Sequence, residues 1–80
     1  MKHEVGKFIE LDVREDLRNN IEPFEKIMGA VEQLNNGEKF ILHATFNPLP
    51  LHKVMKRRGF DNEVEEIEEE HWKVVYERNG

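Results

Sequence analysis

The chain has 80 residues, 17 of them acidic and 12 basic, with a net charge of −5 and no cysteine. That length allows one small domain with a thin core. The missing thiol excludes disulfides, cysteine-ligated metals and thiolate chemistry, and the acid excess disfavours a general nucleic-acid binder.

In chain order, Met1–Lys7 lacks periodicity and reads as a flexible terminus ahead of a single domain at 8–80. The opening MKHEVGKF is charged, without the apolar stretch of a secretory leader. No apolar run approaches the ~20 residues of a membrane span, so a soluble, cytoplasmic protein is expected. Phe8–Val13 alternates, with Ile9, Leu11 and Val13 on one side and Glu10 and Asp12 on the other, which predicts a half-buried strand. Arg14–Asn20 is polar and reads as a loop. Pro23 suits a first helical turn, and Phe24, Ile27, Met28, Val31 and Leu34 follow as one apolar stripe. Gly29 and Ala30 are small enough to admit a close neighbour, and Asn35-Asn36-Gly37 stops the helix.

Phe40–Phe46 is apolar on both faces apart from His43 and Thr45, the pattern of a central strand. Leu51, Val54 and Met55 mark a shorter second helix. Lys56-Arg57-Arg58 lies at its carboxyl end, where cations suit the helix dipole, and Gly59 closes it. Asp61–Glu70 holds seven acids in ten residues. Inside it Val64–Ile67 reads as a strand, although Val64 and Ile67 are out of phase; a bulge or a very short strand accounts for that. Trp72–Tyr76 is the last strand, with Trp72, Val74 and Tyr76 on one face. The order β-α-β-α-β-β predicts an α+β two-layer sandwich. Its four-stranded mixed sheet has the first two strands parallel, the last two in a hairpin, and two helices on one face. The other face stays partly open as a contact surface.

Four groups of residues offer chemistry. Asn47-Pro48-Leu49-Pro50 is a rigid corner where a strand hands over to a helix, and such a corner can present N–H groups and an amide to an anion or a carboxylate. The plainer alternative is that Asn47 caps the helix and Pro48 and Pro50 set the turn. His43 and His52, with Asn47, are weak candidates for a divalent-metal site that needs a further ligand; the alternative is a hydrogen-bonded strand histidine and an exposed helical one. Asp12, Arg14 and Asp16 follow the first strand, where Arg14 can take a carboxylate or phosphate or simply pair with Asp12. Lys53, Lys56, Arg57 and Arg58 form the one basic cluster. No aromatic residue interleaves with it, so an RNA-binding role has little to stack bases on. With no serine, no Gly-rich phosphate loop and no evident nucleophile, an enzyme acting by itself is not expected.

Five short stretches carry a resemblance. Leu11-Asp12-Val13-Arg14, Glu22-Pro23, Phe46-Asn47-Pro48-Leu49-Pro50-Leu51, Arg58-Gly59-Phe60 and Trp72-Lys73-Val74 resemble the bacterial family called domain of unknown function twenty-two forty-nine, over Ile9 to Arg78. That family is similar to the TusA/SirA-like sulfur carriers, which implies a TusA-like fold. The carriers' Cys-Pro-x-Pro motif matches Asn20-Ile21-Glu22-Pro23 here, so Asn20 stands at the cysteine position and only the second proline is kept. An amide cannot carry a persulfide. The resemblance thus implies the scaffold without its chemistry, and adds Asn20 and Glu22 to the ligand-binding set of Asp12, Arg14, Asn47, Pro48 and Pro50. SirA-like folds also resemble the carboxyl-terminal domain of translation initiation factor three, the fold-level ground for weighing RNA. Family members joined to or beside metal-dependent or redox domains point to an accessory role in a redox or sulfur-linked pathway. The expected function is a non-catalytic accessory module that binds a protein partner or small ligand. It needs no cofactor and acts as a monomer or weak homodimer, with nucleic acid disfavoured as a partner; the alternatives are a divalent-metal-binding domain using His43 and His52 and an RNA-binding domain.

Overall fold

Alternation and apolar stripes resolve into two layers in a computed structural model, which describes residues 8–35 and 37–78. The elements are β1 (Phe8–Asp12), α1 (Arg14–Arg18), α2 (Phe24–Val31), β2 (Lys39–Ala44), α3 (Leu49–Arg57), β3 (Phe60–Glu68) and β4 (His71–Arg78). The sheet order is β1-β2-β4-β3. β1 runs parallel to β2, which pairs antiparallel with β4, and β3 and β4 form the hairpin. This is the α+β fold with a four-stranded mixed sheet that the sequence predicts, with one more helix. The expected flexible terminus at 1–7 lies outside the described residues, as does Asn36 of the helix-stop triplet.

The period of two decides which face each strand buries. Ile9 and Leu11 of β1, Phe40, Leu42 and Ala44 of β2, and Val74 and Tyr76 of β4 turn to the helices. There they meet Ile27, Met28 and Val31 of α2 and Leu51 and Met55 of α3 in one core. The opposite face carries Glu10, Ile41, His43, Lys73 and Val75, a mixture of half-buried apolar and charged side chains.

Four expectations are corrected. The stretch Arg14–Arg18 is a helical turn, not a loop. Asp12 Oδ1 accepts the Arg14 N–H at 3.0 Å and starts it, Glu15 and Asp16 lie at its positive end, and Leu17, its one apolar residue, packs on the core. Helix α2 ends at Val31; tighter turns (Gln33 N–H to Ala30 O, Leu34 N–H to Val31 O) still deliver Leu34 to the core. The third strand spans Phe60–Glu68, more than twice the expected length, and its register shifts between Glu66 and Glu68. That irregularity is the bulge the phase of Val64 and Ile67 calls for. Gly29 is exposed and a Cβ there meets nothing within 4 Å, so no close approach explains it.

β3 is an edge strand, exposed everywhere after Phe60. Its acids meet like charge on any second copy that approaches, which protects the unpaired edge from further pairing. Arg78 of β4 lays its guanidinium over the Phe60 ring, 4.9 Å from the centroid, and fastens the start of the hairpin.

Two glycines make opposite predictions. Gly59 follows α3 with φ +89° and its N–H bonds Lys56 O, a left-handed cap that a Cβ strains. Gly29→Ala should raise stability by about 0.5–1 kcal/mol and Gly59→Ala lower it by about 1 kcal/mol or more, read as urea midpoints.

Candidate functional site

Both parallel strands end at the same edge of the sheet, and the segments that follow them meet there. After β1 the chain makes α1 and then turns at Asn20, whose φ of +60° is the left-handed conformation asparagine tolerates. Pro23 is buried as the N-cap of α2, and Glu22 Oε1 accepts the Phe24 N–H at 3.0 Å. After β2 the chain passes Phe46 and Asn47, and Pro48 caps α3 with Pro50 in its first turn.

Between these segments lies an apolar cavity of about 250 Å³. Leu42 and Ala44 form its floor, Leu17, Pro23 and Ile27 one wall, and Pro48, Pro50, Leu51 and Val54 the other. Phe24 and Phe46 line its mouth while 43% and 49% exposed. Ile21 and Leu49, next to lining residues in sequence, are more exposed still. Among the described residues Glu22 is the only polar one in the lining, and one of its oxygens is committed to the Phe24 N–H. Such a concave apolar surface favours an apolar group from solution.

The predicted site residues divide. Glu22, Pro48 and Pro50 line the cavity. Asp12 and Arg14 do not; they border a separate polar recess with Glu15 and Arg18. There Arg14 is forked onto Asp12, Nε to Oδ1 at 3.0 Å and Nη2 to Oδ2 at 2.8 Å, and that pairing holds the Asp12 carboxyl down at about 2. Asp16 is engaged by Lys26. Asn20 is exposed and shapes the turn.

Asn47 does not cap α3, which has no side-chain cap. Its Oδ1 instead lies 2.7 Å from His52 Nε2, while His52 Nδ1 lies 2.7 Å from the Tyr76 hydroxyl. The amide oxygen can only accept, so His52 donates from Nε2 and takes the phenolic proton at Nδ1. At the corner itself, two backbone donors are used within the chain, and the Asn47 amide oxygen is taken by His52. Pro50 has no N–H, and those of Leu49 and His52 bond Asn47 O and Pro48 O.

The two candidate metal ligands are not brought together. His52 faces the core side against Tyr76, whereas His43 stands on the opposite sheet face, with Nε2 2.7 Å from Glu10 Oε2 and Nδ1 2.9 Å from His71 Nε2. Nor is His52 the exposed helical histidine of the alternative; it is half-buried between two partners. Among the described residues no group of three His, Asp or Glu side chains stands where it can hold a metal ion. Among them, too, no helix is long and apolar enough to cross a membrane.

Sequence reasoning missed the cavity because it sought polar chemistry. The signal was there in Ile21, Phe24, Phe46 and Leu49, large apolar residues gathered around two helix starts.

His52 sets a pH dependence. Burial lowers its pKa from the ordinary 6.5, so the unfolded chain takes up the proton first. Its contribution is complete above 6.5 and is lost as pH falls from there to the folded value. Urea denaturation at pH 7.5 and 5.5 should show a larger loss for the wild type than for His52→Gln. Equal losses would mean that His52 titrates alike in both states.

The comparisons with known proteins agree with the resemblance read from the short motifs. No curated protein and no solved structure matches the chain. Residues 10–78, from β1 to the end of β4, match the family described as an uncharacterized conserved protein (DUF2249), and the chain belongs to that family.

Proposed function

We propose that this protein is a non-catalytic binding module that receives an apolar group, from a protein partner or a small ligand, in the cavity between α2 and α3. One observation carries the reading: a concave apolar cavity stays open to solvent at the edge where both parallel strands end. In an 80-residue chain with so little core to spare, leaving Phe24 and Phe46 half exposed forgoes stability that collapse over the cavity would provide. A ligand contact gives that exposure a use.

The chain brings no thiol or serine to the cavity, and the lining is apolar but for Glu22, which supports binding rather than catalysis by this polypeptide. A setting in a bacterial cytoplasm, within a redox or sulfur-linked pathway, rests on the resemblance to sulfur carriers; any sulfur handled there rides on another molecule. The RNA reading has only the cations of α3, and they precede the acidic strand of a chain with net charge −5.

The neutral dye Nile red tests the reading, since its emission rises on entering an apolar site. Phe46→Asp places a charge at the cavity mouth without touching the core. It should reduce the dye's affinity by about tenfold or more while the circular dichroism spectrum stays unchanged. Unchanged dye binding in that variant would place the apolar site elsewhere.

A further inference from the structure

The surroundings of the cavity are charged in a way that selects its occupant. On α3, residues three and four apart share a face. Pro50 and Val54 line the cavity, so Arg57 continues their stripe one turn on, and Lys53 sits beside Pro50 and Arg57. Both cations are exposed, and neither has an ion-pair partner among the described residues. Of the chain's own acids at this end of the sheet, the glutamates that close β3 stand on the far edge strand, two strands from β2. Asp12 is held by Arg14 and Asp16 by Lys26, while Glu22 and Glu25 belong to the α2 side of the mouth. The mouth is therefore polarised, with carboxylates at the start of α2 and exposed cations along α3.

We infer that the occupant is an acidic peptide segment of a partner protein, with one large apolar side chain seated in the cavity and Asp or Glu residues lying along Lys53 and Arg57. This rests on the cavity being the binding site, as proposed above. The volume of about 250 Å³ suits a single Leu, Phe or Trp side chain rather than a cofactor. The half-exposed Phe24 and Phe46 rings extend the apolar surface to a backbone on either side of the anchor. From Val54 to Arg57 the helix rises about 4.5 Å. An extended segment advances about 3.3 Å per residue, so its acids fall within about three positions of the anchor, on the α3 side. The overall charge of −5 opposes an acidic partner only at long range, because at physiological salt charges separated by more than about 8 Å are largely screened.

Selection of a random dodecapeptide display library on the immobilised protein tests the inference, with Lys53→Glu/Arg57→Glu as the paired variant. Both changes are on exposed positions, and circular dichroism and Nile red binding verify that fold and cavity survive. The expected result is enrichment of net-negative peptides sharing one Leu, Phe or Trp. Their affinity should fall by about tenfold or more in the double variant and weaken with added salt. Enrichment of neutral or basic peptides, or affinities equal in the two proteins, would overturn the inference while leaving the cavity reading intact. So would Nile red binding displaced by dodecanoate with no peptide enriched, since that marks a site for small amphiphiles. Absence of Nile red binding to the wild type would remove the cavity reading itself.

Discussion

A buried phenol constrains this molecule more than any other single group. Tyr76 lies in β4, wholly inaccessible and stacked on Phe40 at 6.1 Å between centroids. Burial raises its pKa well above the ordinary tyrosine value, so the hydroxyl stays protonated and must find an acceptor. His52 supplies it from the first turns of α3, and Asn47 fixes the histidine's tautomer from the loop before. One chain of hydrogen bonds thus ties the sheet centre to the loop that leaves β2. It sets where α3 begins, and with that the position of Pro48, Pro50 and Leu51 in the cavity wall.

The cavity follows from this anchoring together with the parallel pair. Two parallel strands deliver two helix starts to one edge, and the prolines at both starts fix the backbone there. Glu22 satisfies the first N–H of α2. What remains between the helices is side-chain surface, and it is apolar. The cavity lining therefore offers chiefly hydrophobic contact.

Much of the fold was legible in the sequence, because periodicity reports burial directly. Ile9 and Leu11 and Val74 and Tyr76 declared their faces, Phe40–Phe46 read as apolar on both faces and so announced only a central strand, and the phase conflict between Val64 and Ile67 called for the register shift of β3. Arg14–Arg18 was hidden because its helix hangs on a single apolar residue and a local bond from Asp12. The site was less legible. Glu22, Pro48 and Pro50 do line the cavity, but the roles of the histidines depend on which side of the sheet each reaches. Strand alternation puts His43 away from the core, whereas nothing in the local sequence of α3 says that His52 meets a tyrosine 24 residues later.

The most direct test of the account is a methyl-detected NMR titration of the protein with toluene, a neutral probe the size of one aromatic side chain. The apolar surfaces in competition are the cavity, floored by Leu42 and Ala44 and walled by Leu51 and Val54, and the open sheet face with Ile41 and Val75. The account predicts saturable shifts at the methyls of Leu42, Ala44, Leu51 and Val54, with Ile41 and Val75 unmoved. Shifts centred on Ile41 and Val75 would contradict it and move the binding surface to the other side of the sheet.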